Sequence, residues 1–472
     1  MIKILQRFIV LSSVLILNTF AAGDKPNIVL VLVDDLGWTD LSCQGSTYFE
    51  TPHIDALASE GVRFTSGYAA CAVCSPTRAA VQTGRYPHRT GVTDWIRARF
   101  QGGTIPEDKK NPCWLPQDQW KGKKKMLVPP NALWLEREEQ TLAEMLKPAG
   151  YTSCYIGKWH LGADDWYPET QGYDFNFGGC DIGQPPSYFD PYKNRIPNLP
   201  GRQEGQYLTD READEAVAFI EKHKDQPFFL MLANYCVHTP IQAKADVKAK
   251  YEAKPKTNQK NAAYAAMVES VDDAVGRVRA TLDALKLSDN TLVIFTSDNG
   301  GLVGPTHNAP LRSGKGHPFE GGIRVPFIVT WPGVAQAGVL SDEPVISMDI
   351  KPTIAAAAGV KLPDDVAIDG LNLKAHLKGS AGLDRQTLYW HFPHYRHAPG
   401  PYSIIRDGDF KMIKWYEGQT LLFNIKEDIG EATDLAGSMP EKVSELDRKL
   451  MAHLRATTDR IPIPNPTFAS KP

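Results

Sequence analysis

The chain has 472 residues, of which 42% are hydrophobic and 23% charged, and a formal net charge of −3. That length and apolar share supply a large core with a smaller companion domain. The near-neutral balance lacks the basic excess of a nucleic-acid binder, so no nucleic-acid partner is expected, and the bulk charge names no other.

The amino terminus, MIKILQRFIVLSSVLILNTFAAGDKP, places Lys3 and Arg7 before an apolar run from Phe8 to Leu17, then small residues at Ala21, Ala22 and Gly23. This is the layout of a secretory signal peptide over residues 1–22, cleaved near Ala21 or Ala22. The run is shorter than the roughly 20 residues of a membrane span, so no stable membrane insertion is expected after cleavage. An exported protein follows, periplasmic or secreted. Seven cysteines (Cys43, Cys71, Cys74, Cys113, Cys154, Cys180 and Cys236) form an odd set, which leaves one thiol without a disulfide partner and raises the question of its chemistry.

KPNIVLVLVDD is an unbroken apolar run ending in two carboxylates, as a buried parallel strand would be, and the helical pattern HIDALASEGVRF follows it. In CAVCSPTRAAVQTG, Ser75 suits an N-cap and Pro76 the first helical position. Cys74 would then stand just before a helix N-terminus, where free N–H groups and the dipole favour an anion, and Arg78 reaches the same point. Arg99 to Asn131, rich in Pro, Gly and Lys, reads as a long surface insertion. TLAEMLKPAGY is helical, and GYTSCYIGKWHLG puts Lys158 and His160 two apart, on one side if the segment is extended. TDREADEAVAFIEKH is a helix with Thr209 and Glu212 at the spacing of a capping box.

QPFFLMLANYCVH is a further buried strand with His238 just beyond it, and AAYAAMVESVDDAVGRVRATLDALKL is a long helix. NTLVIFTSDNGG repeats the pattern of strand then carboxylate, with Asp298 and Asn299 at its end. Lys315 sits in a glycine-bracketed loop, where backbone can approach a ligand closely. Beyond Leu362 the texture changes to short strands, RQTLYWHF, YSIIRDGDFKMIKWY and QTLLFNI, with a hairpin turn at Asp407-Gly408. A helix with Val443, Leu446, Leu450 and Leu454 on one face ends the chain. The alternation predicts an α/β fold with a large mixed, mostly parallel sheet flanked by helices over residues 23–362, and a smaller C-terminal antiparallel sheet plus one helix over 363–472.

Open α/β sheets bind ligands at the carboxyl ends of their strands, where Asp34, Asp35, Asp298 and Asn299 stand. Three carboxylates and one amide suit a hard divalent cation such as Ca²⁺ or Mg²⁺ rather than zinc. Either pair alone would serve equally as turn or cap residues after a strand. Cys71 and Cys74 alone would equally form a C-x-x-C pair, and Lys158 and His160 a surface lysine beside a core histidine.

Taken together, CSPTRAAVQTG, GYTSCYIGKWH, the paired aspartates, SDNGG and GKGHPFEGGIRVPFIVTWPG occur in an order and spacing that resemble the formylglycine-dependent, arylsulfatase-like sulfatases of the alkaline phosphatase superfamily. The resemblance runs from Lys25 to the C-terminal sheet and implies an alkaline phosphatase-like fold and a sulfuric ester hydrolase. It implies that a formylglycine-generating maturation enzyme reads the Cys74 to Arg78 motif and oxidises Cys74 to formylglycine. It implies one Ca²⁺ held by Asp34, Asp35, Asp298, Asn299 and the modified Cys74, with Arg78, Lys158, His160, His238 and Lys315 around the aldehyde hydrate and the sulfate. One hydroxyl of that hydrate would attack sulfur, and loss of a proton from the other would then release sulfate. His238 or His160 would protonate the leaving alkoxide. Gln82 stands where the family signature carries an apolar residue, which puts local packing in question.

Export, with aromatic and basic candidates at Trp95, Arg97, Lys121 to Lys125 and Trp390 to Tyr402, points to a sulfated polysaccharide or oligosaccharide as substrate. Two alternatives stand beside this reading. A phosphate or phosphonate monoester hydrolase of the same superfamily would need a second set of metal ligands, which the sequence does not offer. An inactive relative that binds sulfated glycans would need a lost catalytic position, and none is lost.

Overall fold

The computed structural model describes residues 25–97, 123–199 and 203–468, and the backbone at 113–114. The signal peptide expected over residues 1–22, the Cys113 side chain and most of the Arg99 to Asn131 insertion lie outside the described residues. The chain runs β1 (Asn27–Val33), α1 (Pro52–Glu60), β2 (Val62–Phe64), α2 (Cys74–Thr83), α3 (Leu142–Leu146), β3 (Thr152–Gly157), β4 (Phe175–Phe177) and α4 (Leu208–His223). It continues through β5 (Phe228–Ala233), α5 (Ala262–Ala284), β6 (Thr291–Ser297), β7 (Phe327–Thr330), β8 (Val339–Ser341) and α6 (Ile350–Ala358).

These strands form one eight-stranded sheet in the order β8-β2-β7-β6-β1-β5-β3-β4. β6, β1, β5, β3 and β4 run parallel, whereas β7 is antiparallel to both β6 and β2. The expectation of a mixed, mostly parallel sheet holds. β1 is apolar throughout because both its faces are covered. Val29, Val31 and Val33 join Phe219 of α4 and Val271 of α5 on one side, and Ile28, Leu30 and Leu32 join Val81 of α2 and Ile354 of α6 on the other. Gln82 is accommodated by partners: its amide nitrogen donates to Tyr173 Oη at 2.9 Å and its oxygen accepts from Leu142 N at 3.3 Å.

The C-terminal part is a four-stranded antiparallel sheet of β9 (Thr387–Phe392), β10 (Tyr402–Asp407), β11 (Phe410–Trp415) and β12 (Thr420–Asn424), in that order. The terminal helix α7 (Pro440–Thr457) lays Leu446, Leu450 and Leu454 on Ile405, Met412 and Leu422. The opposite face packs Trp390, Ile404 and Phe423 against Tyr68, Val73 and Ala80, so the small sheet buttresses the start of α2. The hairpin turn is Gly408-Asp409, one residue later than expected, because Asp407 still pairs with Phe410 and Gly408 takes the positive φ of 59°. Among the described residues no helix is long and apolar enough to cross a membrane.

Candidate active site

The carboxyl end of β1 is stitched to its neighbours before any side chain is considered. Asp34 N donates to Cys236 O at 3.0 Å, Val237 N donates to Asp34 O at 2.7 Å, and Asp298 N donates to Val33 O at 3.1 Å. The segments after β1, β5 and β6 therefore deliver Asp34, Asp35, His238, Asp298 and Asn299 to one place. Asp35 has φ 63° and His160 φ 59°, left-handed conformations that concentrate where surrounding structure overrides local cost.

Carboxylates and cations alternate in this dry pocket. Lys158 Nζ lies 2.7 Å from Asp34 Oδ2, and Arg78 places Nε and Nη2 each 2.8 Å from Asp298 Oδ2. Lys315 Nζ spans both oxygens of Asp35, at 2.7 and 2.8 Å, and Asn299 Nδ2 donates to Asp35 Oδ1 at 2.8 Å. Burial alone would push all three carboxyls up. It does so for Asp34, whose opposing neighbour is Lys158. At Asp35 burial is outweighed by Lys315 and then His238, and at Asp298 by Arg78 and then Lys158, so both are held below the usual carboxylate range.

Two buried acceptors in the ring remain without a hydrogen-bond partner, Asp34 Oδ1 and Asn299 Oδ1. Asp34, Asp35 and His238 also bring one ligand atom each to within 4.8 Å of one another. Unspent oxygen acceptors among carboxylates fit a hard divalent cation. Asp35 and Asp298 already have both oxygens engaged, Asp35 by Lys315 and Asn299, and Asp298 by Arg78 on Oδ2 and by Asp35 N on Oδ1 at 3.2 Å. His238, which the sequence did not assign as a ligand, reaches the same group through Nε2, 3.6 Å from Asp35 Oδ2.

Cys74 is the first residue of α2, and Val73 is its N-cap. This corrects the expected cap at Ser75. The Ser75 hydroxyl donates to His160 O at 2.9 Å and accepts from Ile96 N at 3.1 Å, so it joins two loops across the pocket instead of capping. The segment at Lys158 and His160 is a turn beyond β3 and not an extension of it. Arg78 Nη1 and Tyr155 Oη both donate to the Lys158 carbonyl and fix that turn. His160 Nε2 donates to Ile96 O at 2.6 Å, and Gly183 covers the ring so closely that a Cβ there would fall 2.5 Å from it. His238 Nδ1 contacts Thr239 O at 2.9 Å, which leaves Nε2 facing Asp35. Burial and then Lys158 hold His160 well below its ordinary value; burial and then Lys315 bring His238 down to about 3.

A cavity of about 240 Å³ opens on this ring, lined by Cys74, His160, His238 and Lys315. All the residues singled out in the sequence as catalytic or metal-binding thus share one end of the sheet. The cavity walls also include Gln184 and Leu302, which no motif disclosed, beside Trp95 and Arg396 of the two segments expected to recognise substrate. Arg396 comes from the loop between β9 and β10. His397 beside it stacks on His317 at 4.0 Å, and Gly316, at φ 86°, makes room, since a Cβ there would meet His397 at 2.5 Å. Within the segment from Trp390 to Tyr402, Tyr395, His397, Ala398 and Pro399 keep some exposure, and the first part offers no surface for recognition. Trp390, His391, Phe392 and His394 are buried, with Trp390 Nε1 donating to Ala69 O at 2.8 Å.

Sequence reasoning missed Glu212, whose spacing from Thr209 suggested a capping box. α4 starts earlier, with Tyr207 as N-cap; the Thr209 hydroxyl points to Cys236 Sγ at 3.0 Å and Glu212 accepts from Asn234 Nδ2 at 2.7 Å and Tyr235 N at 3.2 Å. It holds the strand end that carries His238. A capping box of that kind stands instead at the start of α3, between Thr141 and Glu144.

A mixed α/β sheet with a buttressing antiparallel sheet, and a ring of carboxylates, lysines and arginine around a cysteine at a helix start, define a hydrolase site for a tetrahedral anion. The Sulfatase family model matches residues 26–360, and the model for the C-terminal part of N-sulphoglucosamine sulphohydrolase matches 314–460. The chain belongs to the sulfatase family of the alkaline phosphatase superfamily and is a sulfuric ester hydrolase. A sulfatase of Formosa agariphila is 33% identical over 92% of this chain and 89% of its own length. Human N-acetylgalactosamine-6-sulfatase is 36% identical over 78% of this chain and 69% of its own. The crystal structure of Ps i-CgsB in complex with k-i-k-neocarrahexaose superposes with a TM-score of 0.75 at 30% identity, covering 95% of each chain.

Proposed function

We propose that this sulfatase is exported and removes sulfate from a sulfated carbohydrate, with formylglycine made from Cys74 by a maturation enzyme and one Ca²⁺ bound at the carboxylate ring. The observation that carries the reading is the ring itself: three cations matched to three carboxylates around Cys74, with Asp34 Oδ1 and Asn299 Oδ1 left unspent. Asp34, Asp35, Asp298 and Asn299 would hold the cation, which would supply a fixed positive charge beside the sulfate and favour the ionised form of Asp34. Formylglycine, when formed, offers as its hydrate two hydroxyls on one carbon, which a plain cysteine or serine does not.

The chain's own residues then have separate tasks. Lys158, Lys315 and Arg78 supply fixed positive charge where negative charge develops on the sulfuryl oxygens. His160 is held by Ile96 and Gly183, and His238 by Thr239, so each imidazole keeps a set orientation toward the cavity. One of the two would deliver the proton to the departing alcohol once the negative charge of the bound sulfate raises it from the low value that burial and the neighbouring lysine impose. The C-terminal part, taken as residues 363–472, closes one wall with Arg396. A sulfated carbohydrate as substrate is supported by the names of relatives, N-acetylgalactosamine-6-sulfatase among them, and by the neighbour crystallised with an oligosaccharide. Among the described residues one group of three metal-ligating side chains converges, which favours a single cation over the two of a two-metal phosphatase.

The test is the mass of the proteolytic peptide containing Cys74, from protein co-produced with a maturation enzyme, paired with sulfate release from a panel of sulfated saccharides. An aldehyde or its hydrate at Cys74, together with release from at least one saccharide, is expected. An unmodified thiol in protein that still releases sulfate would overturn the formylglycine reading, and release confined to aryl sulfates would overturn the carbohydrate one.

A further inference from the structure

A larger cavity than the catalytic one, about 1050 Å³, lies where the carboxyl end of β2 meets the small C-terminal sheet. Thr65 and Ser66, which leave β2, form its floor with Arg324, and the β10–β11 hairpin overhangs it. β2 stands two strands from β6 in the sheet, so the cleft opens at the same end as the active site but roughly 10 Å toward the sheet edge. Trp38, three residues beyond Asp35, lines the cleft.

The cleft is lined by both signs, with Arg63, Arg324, Arg385, Arg406 and the exposed Lys426 beside Asp342, Glu343, Asp407 and Asp409. Arg324 is buried and paired with Glu320, and Arg385 is paired with the buried Asp349. Arg63 and Arg406 are different: Arg63 donates to Gln44 Oε1 at 2.6 Å and Arg406 to Tyr68 Oη at 2.8 Å, and neither has a carboxylate within ion-pair distance among the described residues. Among the acids, Asp409 on the exposed rim lies 3.6 Å from Lys426 and Asp407 lies 2.7 Å from Lys449, while Asp342 is exposed and Glu343 half-buried. Two buried donors on the wall, Trp38 Nε1 and Gln44 Nε2, have no hydrogen-bond partner. The cleft carries no chemistry of its own: its one thiol, Cys43, is pushed by burial, and then by Asp55, up to about 12.

We propose that this cleft is a second, non-catalytic binding site for a sulfated saccharide. Arg63 and Arg406 pair with sulfate or carboxylate groups, the side of the Trp38 indole away from the Arg324 guanidinium, which lies 5.7 Å from the ring centroid, supplies a surface for a sugar, and Trp38 Nε1 and Gln44 Nε2 donate to its oxygens. This rests on the reading that the substrate is a sulfated carbohydrate.

The probe is a fluorescently labelled dextran sulfate hexasaccharide, with the unsulfated hexasaccharide as control, bound to full-length protein whose Cys74 is left unmodified so that nothing is turned over. Exchange of both Arg63 and Arg406 for Ala is expected to weaken dextran sulfate binding about tenfold or more, with unfolding temperature checked alongside. Should that pair fail to fold, Trp38→Phe removes one donor, keeps the ring, and is expected to weaken binding about threefold. Wild-type affinity in both variants, no binding by the wild type, or equal binding of unsulfated dextran would each overturn the second site. Turnover of nitrocatechol sulfate and of sulfated saccharides by the matured wild type tests the catalytic reading separately, so an enzyme active on sulfated saccharides whose variants bind dextran sulfate unchanged loses the cleft alone.

Discussion

At the seam between the large sheet and the C-terminal sheet, the buried Lys411 places Nζ 2.8 Å from both Glu320 and Glu431, and Glu320 takes further contacts from Tyr68 at 2.8 Å and Arg324 at 3.1 Å. At the proposed catalytic centre Arg78, Lys158 and Lys315 face Asp298, Asp34 and Asp35 at similar distances, yet Asp34 Oδ1 and Asn299 Oδ1 accept no hydrogen bond. Both clusters are dry and both balance charge with charge. At the seam Glu431 Oε1 also lacks a hydrogen bond but lies 2.8 Å from the shared lysine, whereas at the centre Asp34 Oδ1 has Arg78 Nη2 only at 3.9 Å and Asn299 Oδ1 has no partner. Charge buried to join two parts of a fold is matched inside the fold, while charge buried for chemistry is arranged to be completed by something that arrives.

The comparison breaks most sharply on two substitutions with opposite profiles. Cys74→Ala is expected to lower sulfate release at least about a thousandfold while unfolding temperature moves by only a few degrees, because a small side chain is lost without unpairing any charge. Lys411→Met is expected to cost about 3–5 kcal/mol, since it leaves Glu320 and Glu431 buried without their shared cation. Calorimetry and a sulfate assay on the same samples read both. Wild-type stability in Lys411→Met would mean that apolar packing, not charge, holds the seam. Adding Glu320→Gln and Glu431→Gln to it is expected to recover part of the loss.

Glu212 belongs to neither pattern, since its two partners are an amide and a backbone N–H and no cation neutralises it. Burial pushes its carboxyl up to about 8, with Asn234 and then Tyr235 pulling the other way. In the unfolded chain the group loses its proton near the ordinary value of 4.5, whereas the folded protein keeps it until about 8. The folded state therefore binds more protons across that window, and stability falls as pH rises through it, then levels. Glu212→Gln, neutral throughout, is expected to match the wild type at pH 4 to 5 and to exceed it by up to a few kcal/mol near pH 8. Denaturant midpoints across that range give the answer, and parallel curves would remove the claim.

What the sequence discloses and withholds follows the same division. Most ring residues were legible because they follow an apolar strand or lie at the start of a helix, where local pattern dictates position, and Lys315 because glycines bracket its loop. The caps were not. Ser75 and Thr209 have the side chains of N-caps, but His160 O, Ile96 N and Cys236 Sγ, all distant in sequence, claim their hydroxyls instead. Arg396 reaches the pocket only because the small sheet packs on the start of α2, a contact across some three hundred residues that no local spacing encodes. The buried run from Trp390 to His394 misled for the complementary reason: aromatic and histidine residues suit a sugar-binding surface, and equally a core whose polar atoms find partners such as Ala69 O and Thr93 Oγ1.

The last contrast concerns what each cluster does when Ca²⁺ is added. A cation that binds the folded state alone raises stability by RT ln(1 + [L]/Kd), about 2.7 kcal/mol at one hundred times Kd. The catalytic ring has acceptors for it, and the seam, whose carboxylates already face Lys411, Arg324 and Tyr68, does not. Thermal unfolding in excess chelator and after Ca²⁺ is restored is therefore expected to differ by a few degrees in the wild type and in Lys411→Met, and not in Asn299→Ala, which removes one of the two unspent oxygens. Zn²⁺ is expected to do less, because the ring offers carboxylate and amide oxygens and a single imidazole, a donor set that suits a hard cation. A full Ca²⁺ shift in Asn299→Ala would place the ion outside the ring. A shift lost in Lys411→Met would mean that closing the seam is a precondition for the centre to remain open, and that the two clusters are one device.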